Sequence, residues 1–122
     1  MAEAHKLLLV VIWGWIVCWP VSTSMAADRF VPGIADLPLM NGLEEMEGAT
    51  LVFSKPQGRI VDTTVAGNVS AKEVQVFYNQ TLPHLGWHKL AAGQWKRDNE
   101  ILRLDVEDRN NGILVRFSLA PQ

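Results

Sequence analysis

The stretch FYNQTLPHLGWHKL, residues 77–90, crowds Tyr78, His84, Trp87 and His88 into a short span, a set rich enough in proton donors and metal ligands to invite catalysis. His84 and His88 stand four apart, and on one continuous helix that spacing would put two imidazoles on a single face for a metal. Gly86 lies between them, and the apolar pattern changes there from helical to alternating, so the two imidazoles belong to different elements. His84 then has a plainer role, since a cationic side chain in a last helical turn interacts favourably with the helix C-terminus. No metal site is expected.

Other chemistries fare no better. A hydrolytic triad needs an exposed serine on a sharp strand-to-helix turn, but Ser54 precedes a turn, Ser70 fits a helix cap and Ser118 sits in a strand. Asp105 and Glu107 alternate on the wet side of a strand, and no glycine-rich phosphate loop follows any strand. The run from Asp105 to Gly112 departs from a calcium loop at Arg109 and Asn111, so a hairpin turn is expected. Glu44, Glu45 and Glu47 lack a nearby histidine and are read as a solvated turn. Asn68-Val69-Ser70 and Asn79-Gln80-Thr81 match the N-glycosylation acceptor pattern and are read as coincidences of composition. The residues therefore predict no enzyme and no cofactor, and an enzyme built on Tyr78, His84 and His88 requires those side chains to converge on one cleft.

At its start, the 122-residue chain places Lys6 before the apolar run Leu7–Trp19, which ends at Pro20 and passes into VSTSMAA. That is the plan of a secretory signal peptide, with Ser24 and Ala26 as the small residues before cleavage, so residues 1–26 are expected to be removed. The apolar core of thirteen residues is short of the roughly 20 that span a bilayer, although an uncleaved anchor is the alternative. Cys18, the single cysteine, follows Trp15, Ile16 and Val17 rather than the small residues of a lipoprotein site. With the signal removed no cysteine remains, which rules out disulfides, thiol catalysis and thiolate metal ligands in the remainder. The net charge of −2 comes from interspersed acids and bases, so neither a nucleic-acid backbone nor an anionic membrane surface finds a basic patch.

Any chemistry must be positioned by the elements of residues 27–122, enough for one small domain. Pro32-Gly33, Pro38 and Asn41-Gly42 interrupt residues 27–48, which read as an extended N-terminal arm. Ala49–Lys55 and Arg59–Ala66 read as two strands around Pro56-Gln57-Gly58. Ser70 and Glu73 form a capping box, and Val69 and Val74 occupy the positions of a hydrophobic staple. Beyond them Val74, Phe77, Tyr78, Thr81, Leu82 and Leu85 share one helical side, with Pro83 disturbing the last turn and Gly86 ending the helix. Period-two segments follow at Trp87–Ala91, Gln94–Arg97, Glu100–Glu107 and Ile113–Leu119, the last two joined through Asn111-Gly112. The expected fold is α+β: an antiparallel sheet of five or six strands, in chain order β-β-α-β-β-β-β, with one amphipathic helix packed across it.

Three motifs extend this: P-x-x-x-G at Pro38–Gly42, F-x-x-P-x-G-R-I at Phe53–Ile60, and G-x-x-S-x-x-x-V-x-x-F-Y-x-x-x-L-x-x-x-G-W from Gly67 to Trp87. With them, the chain from Pro38 to Leu119 resembles a recurring class of small uncharacterised bacterial envelope domains. The resemblance implies export to a bacterial periplasm and a helix-on-sheet fold, and it carries neither a reaction nor a catalytic residue. Two modes of action are then expected. The first is binding of a protein or another envelope component, with Val76 and Leu114, which fall on the wet sides of their elements, as partner contacts. The second is binding of a small apolar ligand in a groove between helix and sheet, bordered by Tyr78, Trp87 and Trp95.

Overall fold

The computed structural model describes residues 29–122 and, before them, Gly14 alone; the rest of the expected signal segment and its expected cleavage point lie outside the described residues. The chain runs β1 (Phe30–Val31), β2 (Ile34–Pro38), β3 (Leu43–Lys55), β4 (Gly58–Gly67), α1 (Ala71–His84), β5 (His88–Ala91), β6 (Gln94–Arg97), β7 (Glu100–Arg109) and β8 (Gly112–Pro121). Strands β3 to β8 form one antiparallel sheet in the order β3-β4-β8-β7-β6-β5, and β1 and β2 pair separately. The domain is α+β, as its patterning implies, but with two more strands ahead of the expected order.

Helix α1 begins and ends on local instructions. The Ser70 hydroxyl accepts from the Glu73 amide at 3.1 Å while the Glu73 carboxylate accepts from the Ser70 amide at 3.0 Å, closing the capping box. At the other end Trp87 N–H donates to the Leu82 carbonyl and Gly86 N–H to that of Pro83, the paired bonds of a Schellman stop with Gly86 at φ +88°. Between the caps, Val74, Tyr78 and Leu82 are buried, four residues apart on one stripe. Phe77 is only partly buried, at the margin of that stripe, with its ring edge-on to Tyr78.

Alternation divides the sheet. Val61, Thr63 and Val65 of β4, Leu102 of β7, and Val115, Phe117 and Leu119 of β8 are buried on the side that carries α1, with Tyr78 edge-on to Phe117 at 5.3 Å between ring centres. Thr63, the one buried polar side chain among the described residues, shares a 2.8 Å hydrogen bond with Thr50. On the opposite side Asp62 and Arg116 form an ion pair in the open.

The reading of residues 27–48 as an arm needs correction. Pro32-Gly33 is the turn of a hairpin that pairs Val31 with Ile34, and Gly33 at φ +80° fits the position where a type II turn favours glycine. This turn rests on the helix side of β3 and β4, so close that a Cβ on Gly33 would lie 2.8 Å from a Val61 methyl. Val31, Ile34, Leu37, Leu39 and Leu43 are all buried, five of the seventeen buried apolar residues described. The segment is thus core, filling the part of the sheet that α1 does not cover. Glu44, Glu45 and Glu47 likewise lie on β3 rather than in a turn; the register breaks between Glu45 and Thr50, and this bulge absorbs Gly48.

Candidate functional site

A groove of about 310 Å³ opens between α1 and the corner made by β5, β6 and β7. Val74 and Tyr78 supply one wall from the helix, Trp95 and the β5–β6 turn at Ala92-Gly93 supply another, and Leu104 and Val106 of β7 form the floor. The opening lies where α1 packs against β7 and the short β5–β6 hairpin. Gly93 permits the close pass, because a Cβ there would meet the Leu104 carbonyl at 2.7 Å. Gln75, Asn79 and Lys89 give the groove a polar side as well as an apolar one; Lys89 Nζ donates to the Asn79 side-chain carbonyl at 3.4 Å and lies 5.7 Å from the centre of the Trp95 ring.

Of the three expected ligand residues, the structure brings together Tyr78 and Trp95 and separates Trp87. The ring of Tyr78 flanks the groove, but its hydroxyl points away, donating to the Pro38 carbonyl at 2.9 Å and accepting from the Met40 amide at 3.2 Å. Burial pushes this phenol up to about 12, against a smaller downward pull from the Met40 bond. It is therefore a fastener between α1 and the N-terminal hairpin, fully protonated near neutral pH.

Trp87 is buried beyond the helix stop, with the Arg97 guanidinium stacked 4.4 Å from its ring centre. Arg97 also donates to the Leu85 carbonyl at 3.1 Å and to Asp36 at 2.6 Å, tying the helix end, β6 and β2 to one side chain. Trp87 does not border the groove.

The remaining candidates disperse. His84 and His88 are exposed and line neither the groove nor the other clefts described, so they do not join Tyr78 around one cavity. Among the described residues no three His, Cys, Asp or Glu side chains gather as metal ligands. Val76 is 45% exposed on the outer side of α1. Leu114 lies on the far side of the sheet, in a shallow depression of about 440 Å³ beside Met46 and Arg109. The two expected partner contacts thus lie on opposite sides and cannot form one surface.

Sequence reasoning passed over Lys89, Asn79, Leu104 and Val106. A signal for Lys89 existed: pairing β5 with β6 in register places it directly beside Trp95, on the apolar side of a strand where a lysine is out of pattern. Compared with models of known protein families, with curated proteins and with solved structures, the chain matches none.

Proposed function

We propose that this is an exported bacterial envelope domain, without catalytic machinery, that binds a small and largely apolar molecule in the groove between α1 and the β5–β7 corner. One observation carries the proposal: Tyr78 of the helix and Trp95 of β6 line the same 310 Å³ groove, with Lys89 beside them. That volume is at the lower end of small-molecule sites, roughly 300 to 1,000 Å³, and matches a compact ligand rather than a polymer. An acidic group on the ligand takes the Lys89 ammonium in place of the neutral Asn79 carbonyl, adding the attraction of opposite charges to the hydrogen bond.

Titration with a medium-chain fatty acid such as decanoate, followed through tryptophan emission, tests this. Saturable quenching or a blue shift is expected, with Lys89→Glu weakening binding about tenfold, or ~1.4 kcal/mol. The alcohol of the same chain length is expected to bind the wild type and the variant alike. Emission unchanged across fatty acids, quinones and tetrapyrroles would remove the proposal.

A further inference from the structure

Strand β3 is an edge of the sheet, and its second half is bare. Leu51, Val52 and Phe53 are 57%, 54% and 54% exposed, and from Ala49 to Ser54 the strand carries no charge. An uncharged apolar edge with unpaired backbone groups is a template for another strand, and edges left open normally carry charges, proline or a bulge. Here the bulge falls between Glu45 and Thr50, so it blunts only the first half of β3. The opposite edge, β5, has four residues, an irregular register and Lys89 among them.

Charge is distributed along β3 with a direction. Glu44, Glu45 and Glu47 lie at its start and Lys55 at its end, and none of the four forms an ion pair among the described residues. A second β3 laid parallel sets acid against acid, whereas an antiparallel one sets each acidic end beside a lysine.

We propose that β3 pairs antiparallel with β3 of a second copy of this chain, about a twofold axis through Val52, so that two six-stranded sheets continue as one. Opposite residues in an antiparallel pair project from the same face. Val52 then meets Val52, and Leu51 of each copy meets Phe53 of the other on the face away from α1. Lys55 reaches the partner's Ala49, two residues from Glu47. The pairing is isologous and uses up the only long bare edge among the described residues, so the assembly closes at two. This surface lies away from the ligand groove, and neither proposal depends on the other.

Sedimentation equilibrium of protein recovered from cells expressing the full 122-residue chain tests the pairing, with far-ultraviolet circular dichroism to confirm folding. A concentration-dependent dimer is expected, weakened at least tenfold by Phe53→Lys and by Lys55→Glu, each folded as the wild type. Adding Glu44→Lys and Glu47→Lys to Lys55→Glu is expected to restore the dimer, since the two ends again carry opposite charge. A wild-type protein monomeric throughout the micromolar range overturns the proposal. So does a dimer indifferent to Phe53→Lys, or a triple charge reversal that stays as weak as Lys55→Glu alone.

Discussion

Tyr78, a residue with the look of chemistry, fastens the helix to the N-terminal hairpin through its hydroxyl. It is the single tyrosine of the chain, so its ionisation can be followed alone by phenolate absorbance. In the folded protein it is expected to titrate near 12 rather than near the ordinary 10, and to drop back to about 10 in denaturant. The folded value is raised, so the stability it contributes is fully present below pH 10 and is lost as the pH rises through about 12. Two units correspond to roughly 3 kcal/mol, enough to bring base unfolding into that window. A tyrosine titrating at 10 in the native protein would mean that its ring is not held as described. Tyr78→Phe leaves the Met40 amide without its partner and is expected to cost about 1 to 3 kcal/mol.

At the scale of the element, α1 was legible nearly residue by residue because its signals are local. Caps, staple and stop involve neighbours within five positions, and nothing elsewhere in the fold overrides them. Ser70→Ala is expected to lower stability by about 1 kcal/mol in urea denaturation, the usual worth of an N-cap. The apolar stripe was wider on paper than in the fold. Phe77, placed by its spacing among the core residues, lies at the edge of the buried stripe, so truncation there costs less than the roughly 3 to 5 kcal/mol of a fully buried phenylalanine. Leu82, fully buried, is expected to cost about 2 to 5 kcal/mol as Leu82→Ala and to exceed Phe77→Ala in the same assay. The reverse order would place the helix rotated about its axis from the position described.

For the whole molecule, the decisive difference concerns the first strands. Prolines and glycines from Pro32 to Gly42 look like interruptions when read along the chain, yet at Gly33 and Gly42 the backbone passes close to something distant. A Cβ on Gly67 would lie 2.0 Å from the Gly42 carbonyl, and one on Gly112 would lie 2.2 Å from the Gly67 carbonyl. These three glycines form a column where β4 ends, β3 starts and β8 begins. If residues 27–48 were a dispensable arm, Leu37→Ala would leave the thermal melt unchanged. With Leu37 fully buried it is expected to cost about 2 to 5 kcal/mol, a large share of the 5 to 15 kcal/mol that holds a small domain.

What the sequence alone determined is whatever depends on near neighbours: the helix and both its ends, the alternation that gives β8 a wet and a dry side, and the hairpin between β7 and β8. It also showed that His84 and His88 belong to different elements, because a glycine stop intervenes. Tertiary structure decided which residues meet across distance. It took Trp87 out of the groove by stacking Arg97 on it, put Lys89 beside Trp95, and turned the Tyr78 hydroxyl toward Pro38 and Met40. It also left β3 at an edge, which no run of residues within the strand can specify, because strand order follows from how the whole sheet and the N-terminal hairpin share one buried face. Periodicity reports the side a residue faces; only packing decides what waits on that side.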